Sequence, residues 1–295
     1  MTNHIQPVIG VIGGSGVYDI DGLENPRWEK VSSPFGEPSD ALLFGELAGQ
    51  KMVFLPRHGR GHRIPPSEIN YRANIDCLKR AGVTEILSVS ACGSLREDLP
   101  PGTFVIVDQF IDRTFARAKS FFGTGLVAHV GLGHPTCSRL GDGVFEAAKK
   151  IGVPVQKGGT YLCMEGPQFS TLAESNLYRT WGCDVIGMTN MPEAKLAREA
   201  ELPYATVAMV TDYDCWRADQ AAVEVTNVLD IMAGNTGKAK TMIEQLGAAL
   251  QDTPRTLSPQ GIETCLDFAM ITAPDARDPA VLTKLNTVAG RVLNR

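Results

Sequence analysis

The sequence lacks a long apolar run, a cluster of basic residues and a regular spacing of cysteines. Its first apolar stretch, in MTNHIQPVIGVIGGSG, is interrupted by glycines and follows no basic segment, which disfavours a secretory leader or a membrane span. The 28 Lys and Arg against 33 Asp and Glu give a formal net charge of -5. We therefore expect a cytoplasmic protein with a small-molecule partner, and neither a nucleic-acid nor a membrane surface.

The seven cysteines are odd in number, widely scattered and never arranged as C-x-x-C. This arrangement disfavours both a disulfide framework and a structural zinc site. Because unpaired cysteine is among the most buried residue types, we expect these side chains to behave as small apolar residues of the core.

Short runs rich in β-branched residues alternate with segments of helical period, which predicts an α/β fold. Strands are predicted at 7–12, 51–55, 85–89, 103–107, 184–188 and 204–210. Helices are predicted at 66–81, 140–151, 170–181, 191–200 and 221–246. The turn sequence Gly49-Gln50-Lys51 after an apolar run predicts a hairpin, so we expect a mixed β-sheet flanked by helices in a single domain.

The segment QDTPRTLSPQ, with two prolines and little apolar content, marks a boundary near residue 250. We interpret residues 1–250 as the domain and residues 251–295 as a linker and a C-terminal helical extension.

A glycine-rich turn, Gly13-Gly14-Ser15-Gly16, follows the first predicted strand. Glycine allows a ligand to approach the backbone, and the Ser15 hydroxyl can donate to an anion, so the turn is a candidate phosphate loop. A corner without any ligand explains the glycines equally well. The spacing matches neither the G-x-G-x-x-G dinucleotide pattern nor a G-K-[ST] ending, and we expect no organic cofactor.

The segment Arg57-His58-Gly59-Arg60-Gly61-His62 places two guanidiniums and two imidazoles in six residues. The planar fork of Arg57 matches phosphate oxygens, and His58 can donate to a phosphate dianion or exchange a proton with it. The segment is therefore a candidate anion site, with a solvated basic loop as the alternative.

Small and apolar residues follow three further predicted strands. Ser90-Ala91-Cys92-Gly93-Ser94 lies at the carboxyl end of a strand, where open α/β sheets bind ligands, although small residues also permit tight packing. The segment Met164 to Ser170 contains Phe169, and Met188-Thr189 ends another strand. These side chains offer flat apolar surface and a hydroxyl for a purine and a sugar, or belong to the core.

Two carboxylates, Asp212 and Asp214, follow the last predicted strand and flank Tyr213. Spacing i and i+2 puts them on one face if the chain stays extended. Paired acids beside an apolar pocket can have separated pKa values, which suits acid and base roles. No third carboxylate or histidine lies nearby in sequence to complete a metal shell, so we expect no metal site.

Several segments in this order resemble the family of trimeric purine nucleoside phosphorylases and methylthioadenosine phosphorylases: GGSG, PFGEPSDAL, RHGRGH, SACGSLRE, DQFIDRT, MEGPQFS and VTDYDCW. The likeness extends from Val8 to about Leu246. It implies a nucleoside phosphorylase-like fold and phosphorolysis of 5′-methylthioadenosine to adenine and 5-methylthioribose 1-phosphate. It also implies that inorganic phosphate is a co-substrate and that no cofactor is needed.

The resemblance also implies roles for individual residues. It implies a phosphate site made of Ser15, Arg57, His58, Ser90, Ala91 and Thr189. For the nucleoside it implies a site made of Phe169, Ser170, Met188, Asp212, Tyr213, Asp214 and Val225. Asp212 and His58 would be the catalytic groups, with Val225 near the 5′-methylthio group. His129 would reach the 5′ pocket of a neighbouring subunit, which implies a homotrimer.

Three rival functions are considered. A 6-oxopurine nucleoside phosphorylase, acting on inosine or methylthioinosine, would resemble this family with Asn in place of Asp212. A nucleosidase would carry Glu in place of Thr189. A nucleotide-sensing module on the same fold would need neither the anion donors nor the carboxylates.

Overall fold

Eleven strands join into one mixed sheet, and helices cover both of its faces. The computed structural model describes residues 6–14, 16–217, 225–251 and 253–294, without the side chains of 225–229. The strands are β1 (Ile9–Gly13), β2 (Glu24–Glu29), β3 (Leu42–Leu47), β4 (Gln50–Pro56), β5 (Glu85–Ser94), β6 (Phe104–Val107), β7 (Gln109–Asp112), β8 (Val155–Lys157), β9 (Thr160–Cys163), β10 (Val185–Gly187) and β11 (Tyr204–Asp212). The helices are α1 (Tyr71–Arg80), α2 (Ser138–Lys150), α3 (Leu172–Thr180), α4 (Asn190–Glu199), α5 (Val225–Gln251) and α6 (Pro279–Leu293).

Strand β5 lies at the junction of the sheet. On one side it pairs in parallel with β11 from Ile86 to Gly93. It also pairs in parallel with β1 up to Ser88, whereas its last residues, Gly93 and Ser94, pair in antiparallel fashion with β10. The sheet therefore changes neighbours between Ser88 and Gly93, and such a change leaves a crevice at the carboxyl ends of the strands.

Consecutive apolar residues of the central strands enter two different core layers. In β5, Ile86 packs into the layer that includes α1, α4 and α6, whereas Leu87 packs into the layer that includes α2 and α5. The same alternation occurs in β1 with Val11 and Ile12. Because these strands are buried on both faces, most of their residues are apolar or small, as the sequence predicted.

The predicted mixed sheet and the hairpin of β3 and β4 are confirmed, but some element boundaries were wrong. The strand predicted at 85–89 continues to Ser94, because its small residues pair with β10 and β11. The helix predicted at 66–81 is a 3₁₀ turn, Pro66–Glu68, followed by α1. Asn70 separates the two, since its side chain accepts a hydrogen bond from Ala73 N and caps α1.

The segment after α5 contains two 3₁₀ turns and α6. Lys79 of α1 donates to Ala200 O at 2.5 Å and to Val288 O at 2.8 Å, which ties α6 to α1 and to the end of α4. Leu285 and Val288 belong to the same apolar layer as α1.

All seven cysteines are free, and five of them are buried. In the described part of the chain, none of the helices has the length and apolar content that spanning a membrane requires.

Candidate active site

A cavity of about 250 Å³ lies at the carboxyl ends of the central strands. It gathers segments that are far apart in sequence, and most of the predicted site residues line it: Arg57, His58, Ser90, Ala91, Phe169, Met188, Thr189, Asp212 and Asp214. His62, from the candidate anion segment, also lines it, whereas the sequence did not identify several other lining residues: Val17, Pro66, Met232 and Thr236.

Five predicted site residues are not among the cavity residues. Ser15 and the side chain of Val225 lie outside the described residues. The Tyr213 hydroxyl donates to Glu97 O at 3.3 Å, and the Ser170 hydroxyl lies 3.8 Å from Met164 Sδ. His129 is exposed and lies at a second depression together with Lys195 and Glu199.

One end of the cavity carries hydroxyl groups. Ser90 Oγ lies 3.2 Å from Thr189 Oγ1 and 3.3 Å from the hydroxyl of Tyr161. Ser90 belongs to β5, and Thr189 precedes α4, so the pairing of β5 with β10 brings them together. These hydroxyls can donate to an anion in the cavity.

Arg57 is completely buried beside these hydroxyls, and most of its donors are occupied. Its Nε donates to Glu193 Oε2 at 2.8 Å, and its Nη2 donates to Glu193 Oε1 at 3.1 Å and to Ser88 Oγ at 2.6 Å. Its Nη1 donates to Val89 O at 3.0 Å. The planar fork that the sequence assigned to phosphate therefore faces Glu193, and one N–H of Nη1 remains for an anion.

The charge on Arg57 is stabilised by this pairing. Burial opposes a charged guanidinium, but Glu193 more than offsets that effect and raises the pKa of Arg57 above its ordinary value. Arg57 is therefore a permanent positive charge at the cavity wall.

His58 has one ring nitrogen fixed by the backbone. Its Nδ1 lies 2.8 Å from Ile64 O, and since a carbonyl can only accept, Nδ1 carries the proton. Burial, together with the charge of Arg57, lowers the pKa of His58 to about 4 despite that hydrogen bond. At neutral pH the ring is uncharged and Nε2 is an acceptor, whereas the sequence suggested a donor or a proton exchanger.

The other end of the cavity carries the two carboxylates. Asp214 N donates to Asp212 Oδ1 at 2.7 Å, and Thr211 Oγ1 lies 2.7 Å from Asp212 Oδ2. The condition of an extended chain is not met, because Asp214 has a φ of 53° and the backbone turns there. Both carboxylates nevertheless line the cavity.

Burial raises the pKa of both carboxyl groups. For Asp212 it outweighs the hydrogen bonds from Thr211 and from the backbone of Asp214. For Asp214 burial is again the largest cause, and the charge of Asp212 adds to it. A carboxyl group with a raised pKa is a better proton donor near neutral pH than an ordinary one.

Gly93 explains why a small residue is needed in SACGS. A Cβ atom at this position would lie 2.9 Å from Asp212 Oδ1. The side chain of any larger residue would displace the carboxylate, so Gly93 serves the site as well as strand pairing.

Between the two ends, Phe169 and Met188 form an apolar wall. The side chain of Phe169 is 51% exposed, which excludes the alternative that it belongs to the core. A Cβ atom on Gly166 would lie 2.5 Å from Met188 Sδ, so the loop that carries Phe169 packs directly on Met188.

The sequence did not predict the buried partners of the site, above all Glu193, Glu165 and Arg117. Glu193 lies in the predicted helix 191–200, and the only available signal was a charged residue within an otherwise core-like helix.

The chain is similar in sequence to known enzymes over almost its whole length. A sequence profile described as the phosphorylase superfamily matches residues 8–246. A protein of Rhodospirillum rubrum named S-methyl-5′-thioadenosine phosphorylase is 66% identical over 288 residues, which cover 98% of each chain. A protein of the same name from Cereibacter sphaeroides is 62% identical over 289 residues, covering 98% of this chain and 99% of that one.

Solved structures agree with these sequence relatives. A methylthioadenosine phosphorylase from an antarctic soil metagenomic library has a TM-score of 0.89 at 45% identity, covering 96% of this chain and 99% of that one. The methylthioadenosine phosphorylase of Schistosoma mansoni in complex with adenine has a TM-score of 0.84 at 36% identity, covering 90% and 99%.

Proposed function

The chain belongs to the phosphorylase superfamily, and from this premise we infer that it catalyses the phosphorolysis of S-methyl-5′-thioadenosine. The products are adenine and 5-methylthioribose 1-phosphate, so the enzyme is a pentosyltransferase. One observation carries the assignment to this cavity: anion donors, two buried carboxyl groups and the apolar side chains of Phe169 and Met188 line the same space.

The hydroxyl end is suited to bind inorganic phosphate. Ser90, Thr189, the Ala91 N–H and the remaining N–H of Arg57 donate to its oxygens. His58 Nε2 accepts a hydrogen bond from the single O–H group of a monohydrogen phosphate dianion. The preorganised donors then hold the nucleophile against the anomeric carbon.

In the chemical step, a phosphate oxygen forms a bond to C1′ while the bond between C1′ and N9 breaks. The electron pair of the broken bond leaves with adenine, and the ribose passes through an oxocarbenium-like state that the phosphate dianion stabilises. Asp212 in its protonated form donates to N7 of the departing base, and Asp214 accepts from the exocyclic amine. The pKa of Asp212, raised by burial, favours the protonated form.

The apolar wall completes this proposal. Met188 contacts the ribose, and Phe169 stacks on the purine. Inorganic phosphate is the only co-substrate, and no metal or organic cofactor takes part.

The proposed assembly is a homotrimer in the cytoplasm. His129 is exposed and absent from the cavity of its own subunit, so its proposed role at a 5′ pocket requires a neighbouring subunit. Sedimentation of the purified protein at assay concentration tests this assembly, and an active monomer would exclude it.

The decisive experiment is an assay of adenine release from 5′-methylthioadenosine with and without inorganic phosphate. We expect release only with phosphate, together with formation of 5-methylthioribose 1-phosphate. Equal rates after exhaustive phosphate removal would instead identify a hydrolase. A faster reaction with methylthioinosine would identify the 6-oxopurine alternative, which the carboxylates at the base end oppose.

A further inference from the structure

Two segments that contribute to the cavity lining leave the sheet from neighbouring strands. Strands β9 and β10 pair in parallel with Cys163 opposite Gly187, and Met164 N donates to Gly187 O at 2.9 Å. Beyond this point the two segments separate, and Met164 and Met188 both line the cavity. No strand pairing fixes the distance between the segments after they diverge.

The guanidinium of Arg117 lies where the segments diverge and binds both of them. Its Nη1 lies 2.6 Å from Met188 O and 2.6 Å from Met191 O. Its Nη2 donates to Glu165 O at 2.7 Å. The side chain is 1% exposed and is not among the residues that line the cavity, so Arg117 contacts the backbone behind both walls.

The carboxylate of Glu165 forms an ion pair with Arg117 and holds its guanidinium in place. Its Oε1 accepts from Arg117 Nε at 3.0 Å, and its Oε2 accepts from Phe115 N at 2.5 Å and from Ala116 N at 3.1 Å. Burial alone would raise the pKa of Glu165, but the hydrogen bonds from Ser67, the two backbone N–H groups and Arg117 lower it to about 2. The ion pair therefore stays charged at neutral pH.

We propose that Arg117 is a positioning residue that sets the separation of the Met164–Gly166 and Met188–Met191 segments, and with it the fit of the nucleoside. Guanidinium suits this role because its donors lie in one rigid plane and point in fixed directions. Lysine would supply the same charge at a single point and could not hold three carbonyl groups in this arrangement. The inference rests on the proposed function of the cavity.

Arg57, the other buried arginine near the cavity, binds different groups from those that Arg117 binds. Arg57 lines the phosphate end and pairs with Glu193, whereas Arg117 holds the backbone of the segments that carry Met164 and Met188. Thr189 follows Met188 in the second segment, but the other proposed phosphate donors, Arg57, Ser90 and Ala91, have no hydrogen bond with Arg117 in the described structure. A defect at Arg117 should therefore weaken nucleoside binding far more than phosphate binding.

The test compares Arg117→Lys with Arg139→Lys, a matched control in which a partly buried arginine pairs with Glu85 and does not line the cavity. For Arg117→Lys we expect the KM for 5′-methylthioadenosine to rise about tenfold or more, while the KM for phosphate changes less than about threefold. Arg139→Lys should lower Tm and leave both KM values unchanged.

Equal rises of both KM values, a rise for phosphate alone, or a loss of Tm without any change in KM would overturn the proposal. If Arg117→Lys does not fold, Glu165→Gln provides the same comparison, because it weakens the support of Arg117 without removing its bonds to the carbonyl groups. Failure of the proposed function is distinguishable, since it would appear in the wild-type enzyme as the absence of phosphate-dependent cleavage.

Discussion

Glu193 Oε2 lies 2.8 Å from Arg57 Nε, and both side chains are buried beside the proposed phosphate site. Ser88 Oγ donates to the same carboxylate at 2.7 Å, and the hydroxyl of Tyr204 does so at 2.9 Å. A buried guanidinium needs such a partner, because removing one member of a buried ion pair leaves an uncompensated charge. Glu193 thus determines where the one free N–H of Arg57 points.

Glu193→Gln should raise the KM for phosphate about tenfold or more, since the amide cannot accept at both oxygens and Arg57 would shift. The KM for 5′-methylthioadenosine should change little. Steady-state kinetics with each substrate varied in turn measures the difference. Glu263→Gln is the control, because Glu263 pairs with Arg255 and does not line the cavity. An unchanged phosphate KM in Glu193→Gln would show that Arg57 does not need this partner.

Asp214→Asn, at the acceptor proposed for the exocyclic amine, should shift base selection from adenine towards 6-oxopurines, and Asp212→Asn tests the neighbouring carboxyl group in the same way. Adenine presents a donating amine at its sixth position, whereas hypoxanthine presents an accepting carbonyl. A carboxylate that faces a carbonyl leaves buried polar groups unpaired, and this should give wild type a preference of about tenfold or more. The observable is the ratio of kcat/KM for methylthioadenosine to that for methylthioinosine, because a ratio cancels general damage. If neither Asp212→Asn nor Asp214→Asn moves the ratio, the carboxylates do not select the base.

Gly166→Ala should impair nucleoside binding through Met188. Gly166 has a φ of +69°, and a Cβ atom there would lie 2.5 Å from Met188 Sδ. Gly182→Ala is a matched control, since Gly182 has a φ of +73° but no atom within 4 Å of a Cβ. Both substitutions should lower the free energy of unfolding by about 1 to 2 kcal/mol, because alanine is strained at a positive φ. Only Gly166→Ala should also raise the KM for 5′-methylthioadenosine, and equal KM values in the two variants would refute the contact.

Glu199 should make stability depend on pH. Burial raises its pKa from 4.5 to about 7, against the hydrogen bonds from Phe121 N and Ser120. Between these two pH values, Glu199 keeps its proton in the folded state but has lost it in the unfolded chain. The contribution of the protonated Glu199 to the free energy of unfolding is therefore lost as the pH rises. The free energy of unfolding should therefore fall by up to about 3 kcal/mol from pH 4.5 to 7.

Denaturant titrations at several pH values and one protein concentration measure this slope. Glu199→Gln keeps an acceptor for Phe121 N and a donor for Ser120, and it should remove the slope. A variant with the same pH dependence as wild type would assign the effect to another group.

The sequence predicted the central strands well because they are buried on both faces and consist mostly of apolar and small residues. It missed β2, whose six residues are all exposed, and also β7, β8 and β9, which have three or four residues each. Strand β2 has no apolar pattern, and the other three are too short for such a pattern to identify a strand.

The site residues were found through short motifs, whereas their partners were not. Arg57 and Glu193 are 136 residues apart, and Arg117 and Met188 are 71 apart. Local sequence contains no information on such pairs. The neutral state of His58 likewise depends on burial and on neighbouring charges, which exist only in the folded chain.

Strand β5 carries both ends of the substrate site on one rigid element. Ser90 lies at the phosphate end, and Gly93 contacts the carboxylate at the base end, three residues further along the same strand. Three residues of β-strand span about 10 Å. The backbone of β5 therefore fixes the distance between the groups that bind phosphate and those that bind the base. A change of substrate specificity must arise from the side chains that line the cavity between them.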